Sequence, residues 1–284
     1  MITGVVGLGL IGGSVARAYK EAGNKVYGLD IDTKIQSYAK LAGVIDEPLT
    51  EDNLGECDLV FLALYPAATI DFVEKNRSRF KKGSMVMDCC GIKQAICDAC
   101  FPIAEEEGFT FVGGHPMAGN EKSGFKVSKA DLFKGASMVV VPPVFDDIRL
   151  LAKIKEMIKP LGCKRFKVAR AEEHDRMIAY TSQLTHIASN AFVKSPSAVE
   201  EEGYSGGSFR DLTRIAYLNE NMWSELFLFN KGALLDELNI LIDSLTEYRD
   251  AIVDEDRERL KQLLKDGRER KELLEEKKNG NNSR

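Results

Sequence analysis

Gly7-Leu8-Gly9-Leu10-Ile11-Gly12 stands between an apolar run, Ile2–Val6, and a helical pattern over residues 13–21 that Gly23 stops. A bare GxGxxG pattern is weak, but one that follows a strand and opens a helix is a dinucleotide-binding fingerprint. In that setting Gly7 permits the tight turn, Gly9 lets backbone approach a pyrophosphate, and Gly12 lets strand and helix pack closely. The helix N-terminus then faces the phosphates with its unpaired N–H groups. Leu8, Leu10 and Ile11 complete the loop.

Outward from this loop, short β-branched runs alternate with helical patterns, the signature of a parallel sheet with crossover helices. Further strands are predicted at Lys25–Leu29, 59–64, Met85–Asp88, 110–112, Ser137–Val141 and 164–168, and a further helix at 148–158. The central strands read as continuous apolar runs, as strands buried on both faces do. Asp30 closes the second strand, where a carboxylate accepts bonds from the adenosine ribose hydroxyls and repels a 2′-phosphate. Its bland alternative is an ordinary strand-end turn residue. Ile31, Asp32 and Thr33 follow, with no Arg to receive that phosphate, so the expected cofactor is NAD. Ala63, Leu64, Tyr65 and Pro66 are expected beside the dinucleotide at the carboxyl edge of the sheet.

After Val168 no convincing strand recurs and helical spacing runs to the end. The expected fold is α/β, a Rossmann-like, doubly wound, mostly parallel sheet in residues 1–169 followed by an all-α domain in 170–284. The helical half is expected to begin with one helix over 172–193, then a Gly-rich loop at 203–208. Residues 222–245 carry more apolar side chains than one core-facing stripe uses, which suits either a central buried helix or a homodimer interface. Residues 267–284 read as a solvated helix with a frayed tail.

The chain has 284 residues, 44% of them hydrophobic, and a net charge of −5, which excludes a disordered chain and gives no basic field for nucleic acid. No apolar run reaches a membrane span, and the first basic residue, Arg17, comes late for a secretion signal, so a soluble cytoplasmic protein is expected. Cysteines 57, 89, 90, 97, 100 and 163 lie among apolar neighbours without His at ligand spacing and read as reduced, packed thiols; no metal site is expected.

Of three histidines, His115 lies in Gly113-Gly114-His115-Pro116-Met117-Ala118-Gly119, just past a predicted strand at the ligand-binding edge of the sheet. A neutral imidazole there can take a hydroxyl proton while a nicotinamide takes the hydride; a turn histidine bonded to backbone is the alternative. Gln183, His186 and Asn190 share a helix face, which suits a ligand cleft or a buried polar network equally. His174, beside Glu172, Glu173 and Asp175, reads as mainly structural. Arg210 and Arg214 could each fork onto a substrate carboxylate or pair locally with Asp211.

GGHPMAGNEKSGF (113–125), with GLGLIGGS (7–14), EEHDRMIAYTSQLTH (172–186), SFRDLTRIA (208–216) and NENMW (219–223), resembles the prephenate dehydrogenase family over nearly the whole chain. The resemblance implies NAD-dependent oxidative decarboxylation of prephenate to 4-hydroxyphenylpyruvate, on the route to tyrosine, by a Rossmann domain plus a helical dimerisation domain. It implies that His115 is the catalytic base, that Arg214 of the DxTR motif grips a substrate carboxylate, and that His186 lines the substrate pocket. Glu121 matches an acidic residue associated with pocket gating, and Trp223 a tryptophan near the pocket.

Two positions depart from the family pattern: Gly91 stands where a GSVK segment has Ser, and Gln183 where an SHLPH segment has its first His, a place in the substrate pocket. The short, monofunctional form is expected, with any inhibition by tyrosine competitive. Arogenate dehydrogenase differs only in an amino for a keto group on the substrate side chain. A non-catalytic NAD-binding sensor is the reading outside enzymes.

Overall fold

Along the central strands, side chains alternate between two apolar layers, as the two-residue period of a strand demands. Val5, Phe61, Met85, Met87 and Val112 enter one buried cluster with Val15 and Tyr19. Their neighbours Val6, Val60, Leu62, Val86 and Phe111 enter another with Ile96 and Cys100. Both faces are therefore covered, and full burial of a side chain such as Phe61 contributes about 2–3 kcal/mol. The computed structural model describes residues 1–119 and 122–282.

The strands are β1 (Ile2–Val6), β2 (Lys25–Leu29), β3 (Glu47–Pro48), β4 (Leu59–Leu62), β5 (Met85–Asp88), β6 (Thr110–Pro116), β7 (Ser137–Val141) and β8 (Arg165–Val168). They form one sheet in the order β3-β2-β1-β4-β5-β6-β7-β8. Pairing is parallel throughout except between β6 and β7. The chain order reverses on either side of β1, which opens a crevice at the carboxyl ends of β1 and β4.

Two differences from the sequence reading have local causes. β3 was not expected, because two residues ending in Pro48 carry no strand pattern; an edge is where a strand tolerates proline. β6 runs four residues beyond the expected 110–112: it pairs with β5 over 110–112, then with β7 over 113–116. His115 is thus on the strand, where it has outrun β5.

The helices on the sheet are α1 (Leu10–Glu21), α2 (Thr33–Leu41), α3 (Pro66–Asn76), α4 (Gln94–Glu107) and α5 (Ile148–Met157). Asp32 caps α2 and Asp147 caps α5 through side-chain oxygens. α6 (Ala171–Ile178) then passes through a π-helical turn, Ala179–Leu184, into α7 (Thr185–Phe192), so the helix expected over 172–193 is interrupted. α8 (Gly207–Thr213), α9 (Glu220–Phe229), α10 (Lys231–Val253) and α11 (Arg257–Asn282) complete the chain. The apolar stretch 222–245 is broken at Asn230, between α9 and α10.

Contacts divide the chain into two compact units, Met1–Ala233 and Leu234–Arg284. The change from sheet to helix falls between Val168 and Ala171, but helices α6 to α9 belong to the same compact unit as the sheet. In the second unit α10 turns into α11 through Glu255, whose φ of 52° is left-handed, and Asp256 caps Arg259 N–H. Arg259 and Glu247 pair across the turn at 2.7 Å. Ile240, Leu245, Ile252 and Leu264 are exposed on these helices. No described helix is long and apolar enough to cross a membrane.

Candidate active site

The glycine loop has the shape that a dinucleotide phosphate needs. Gly7 has φ +84°, and a Cβ on it would lie 2.4 Å from the Ala63 carbonyl oxygen. A Cβ on Gly12 would lie 1.8 Å from the Gly7 carbonyl oxygen, whereas one on Gly9 would meet nothing within 4 Å. Gly7 and Gly12 serve the chain's own packing, and Gly9 borders open space at the start of α1, with no side chain capping that helix. Ala63 and Leu64 abut Gly7, and Ala63 also Gly12. Tyr65 is 43% exposed and Pro66 begins α3. Asp30 accepts N–H bonds from Leu8 (2.7 Å) and Asp32 (2.9 Å), so it ties the glycine loop to the end of β2. These residues fit a bound dinucleotide.

At the far end of β6, His115 is half-buried and its Nδ1 lies 2.8 Å from Nε2 of buried His174. His174 Nδ1 lies 2.7 Å from Asp175 Oδ1. A carboxylate can only accept, so His174 carries its proton on Nδ1 and its Nε2 accepts from His115 Nδ1–H. His115 Nε2 is then the unprotonated nitrogen. Asp175 is held by N–H bonds from Lys93 (2.7 Å) and Gln94 (2.8 Å), placing its charge at the N-terminus of α4. Burial, with neighbouring His174 and Lys93, pushes the His115 pKa well below the usual imidazole value. Burial lowers that of His174 too, against the opposing pull of Asp175. Both rings therefore stay neutral through the physiological range.

Beneath this line, Lys93 and Asp88 are fully buried and paired with each other. Asp88 also accepts from the N–H groups of Gly114 (3.0 Å) and Cys90 (2.8 Å). The glycines before His115 make room for this core rather than for a ligand. A Cβ on Gly113 would sit 3.0 Å from the Lys93 stem, and one on Gly114 2.4 Å from the Asp88 carbonyl oxygen.

The sequence reading missed Asp175, Lys93 and Asp88 and undervalued His174. The available signal was the rarity of buried charge: Lys93 and Asp88 lie in an apolar region, where a charged side chain needs a partner.

The π-helical turn matters for His186. An uninterrupted α-helix sets residue 186 about 120° around the axis from residue 174, and six residues at roughly 4.4 per turn remove most of that angle. His186 is thereby turned toward the side that carries His174. Its Nδ1 donates to the Ser182 carbonyl at 2.8 Å, and its ring lies 4.1 Å from that of Trp223, tilted by 33°.

Gln183 is corrected from a pocket residue to a packing one. It is 1% exposed, donates to the Leu226 carbonyl (3.1 Å) and accepts from Asn230 (2.7 Å), which also donates to the Asp175 carbonyl (2.9 Å). Asn190 likewise donates to the Ala216 carbonyl at 3.0 Å. Of the expected polar face, two members hold the protein together. Arg214 ends α8 with its side chain exposed. Glu121 lies outside the described residues.

Two family models match the chain: "Prephenate dehydrogenase, nucleotide-binding domain" over residues 15–167 and "Prephenate dehydrogenase, dimerization domain" over residues 170–266. The chain belongs to the prephenate dehydrogenase family. The prephenate dehydrogenase of Bacillus subtilis is 30% identical over 280 residues, 95% of this chain and 75% of that one. A cyclohexadienyl dehydrogenase of Zymomonas mobilis is 28% identical, over 92% of each chain. The prephenate dehydrogenase of Aquifex aeolicus, solved with hydroxyphenyl propionate and NAD+, superposes with a TM-score of 0.82 at 28% identity, over 96% of this chain and 98% of that one.

Proposed function

We propose that the chain oxidatively decarboxylates prephenate to 4-hydroxyphenylpyruvate with NAD as the hydride acceptor, in the route to tyrosine. The observation that carries the reading is the His115–His174–Asp175 line at the carboxyl edge of a sheet that also bears the glycine loop. The solved relative from Aquifex aeolicus, with NAD+ and a hydroxyphenyl acid, supports it.

His115 Nε2 accepts the proton of the substrate ring hydroxyl, and His174, fixed by Asp175, holds the tautomer that leaves this nitrogen basic. When bound, NAD takes the hydride from the carbinol carbon, and loss of the ring carboxylate as CO2 leaves an aromatic product. Arg214 grips a substrate carboxylate as a guanidinium fork, and His186 with Trp223 forms an aromatic wall of the pocket. Glu121 is proposed to gate that pocket. Gly7, Gly9, Gly12, Asp30 and residues 63–66 hold the cofactor.

We place the cofactor domain in residues 1–169 and a substrate and dimerisation domain in 170–284. The exposed apolar residues of α10 and α11 support a homodimer. A cytoplasmic location accords with the tyrosine route and with the absence of a membrane-spanning helix among the described residues.

The test is NADH formation by purified protein with prephenate and with arogenate, each offered with NAD and NADP. Turnover of prephenate with NAD is expected to dominate. Dominant turnover of arogenate would reassign the substrate, and NAD binding without turnover of either would favour a sensor.

A further inference from the structure

α9 touches three parts of the site with neighbouring side chains. Trp223 stacks on His186, Glu225 Oε1 accepts the Ala67 N–H at 2.6 Å, and Leu226 lies 3.6 Å from where a Gly91 Cβ would stand. The Glu225 contact spans 158 residues of sequence. α3 needs it for a local reason. Its N-cap, Tyr65, makes no side-chain cap bond, and its first residue, Pro66, has no N–H, which makes Ala67 the first donor of the helix. A carboxylate there also complements the helix dipole. Ala67 directly follows residues 63–66, and Ala63 is packed against Gly7 and Gly12.

We propose that Glu225 is a positioning residue that couples the cofactor loop, residues 63–66, to the substrate wall, His186 and Trp223, through α9. The inference rests on the reading of residues 63–66 as flanking the dinucleotide. Cofactor binding shifts that loop and the attached start of α3; Glu225 transmits the shift to α9, and Trp223 carries it to His186. By linkage, whatever factor bound cofactor applies to substrate affinity on the His186 side, substrate applies to cofactor affinity.

Trp223 is the chain's one tryptophan, so its emission reports on α9 directly. NAD alone is titrated into the full-length protein, reading tryptophan emission, with affinity measured independently by calorimetry. In the unaltered protein the emission should change and saturate at the calorimetric Kd. Glu225→Ala should bind NAD about three- to tenfold more weakly, as expected for loss of a charge-assisted bond, and show little emission change at saturation. Glu225→Asp, which keeps the charge but withdraws it by one methylene, should behave like Glu225→Ala. Glu225→Gln, which keeps the Oε1 acceptor, should retain most of the response.

A full-sized response in Glu225→Ala or Glu225→Asp at saturating NAD overturns the proposal, as does calorimetric binding of NAD without any emission change in the unaltered protein. Loss of the response in Glu225→Gln as complete as in Glu225→Ala assigns the coupling to the carboxylate charge at the start of α3 rather than to the acceptor alone, which still supports the proposal. Absence of NAD binding in the unaltered protein is a separate result, which removes the cofactor reading itself.

Discussion

At the scale of the residue, the arrangement depends on who holds whose proton. Because Asp175 accepts from His174, and His174 from His115, one nitrogen of His115 is left basic. His115→Asn should lower kcat by about a hundredfold or more with little change in KM, as loss of a general base does; turnover of the purified variant checks it. Arg214→Ala should chiefly raise the KM for prephenate, and steady-state kinetics in which KM stays put would remove Arg214 from carboxylate binding. Asp30 holds Leu8 N–H in addition to the ribose contact proposed for it. Asp30→Ala should therefore weaken NAD binding and narrow the preference for NAD over NADP, read as the ratio of the two kcat/KM values. The sequence offered this carboxylate as an expected ribose contact, but its bond to Leu8 was not legible there, because that depends on how the loop folds back on β2.

At the scale of the element, α6 and α9 are tied to helices that cover the sheet by polar side chains that reach backbone groups of other elements. Asp175 on α6 caps α4, Glu225 on α9 caps α3, and Asn230 binds both the Asp175 carbonyl and Gln183. Asn230→Ala would leave these buried acceptors short of a donor, at a cost of about 2 kcal/mol. Thermal unfolding should show it as a drop of several degrees. The π-helical turn belongs to this scale as well. Spacing along 172–193 shows a helix, but an inserted π turn has no sequence period of its own, so Gln183, His186 and Asn190 read as one face. The fold separates them: Gln183 and Asn190 go to protein carbonyls, and His186 goes to Trp223.

At the scale of the whole molecule, two neutral imidazoles, His174 buried and His115 half-buried, are held in the folded state. Their folded pKa values lie below the unfolded value of about 6.5, so below that pH the unfolded chain binds protons that the folded chain refuses. Stability contributed by the pair is present above about pH 6.5 and is lost as pH falls, at up to about 1.4 kcal/mol per pH unit for each ring. Urea midpoints should thus be flat from about pH 8 to about pH 7 and decline toward about pH 5. In a protein with Asn at both 115 and 174 that decline should be smaller. The same lowering of its pKa lets His115 act as a base on the acid side of neutrality, so the acid limb of kcat/KM should lie below about pH 6.5.

Local chemistry determined the elements. The continuous apolar runs required strands buried on both faces, and Gly7, Gly9 and Gly12 required a loop that a Cβ would block or that backbone must share with a phosphate. His115 stood out because glycines flank a single imidazole just past a strand, at the edge of the sheet where ligands bind. These readings need only a residue and its near neighbours. The reversal of β7 against β6, the partnership of His115 with His174 across 59 residues, and the place of Gln183 came only from the tertiary structure. So did the division of contacts at Ala233. The physical reason is common to all four. A polar group's role depends on which partner burial brings within hydrogen-bonding distance, and that partner is chosen by the packing of elements remote in sequence.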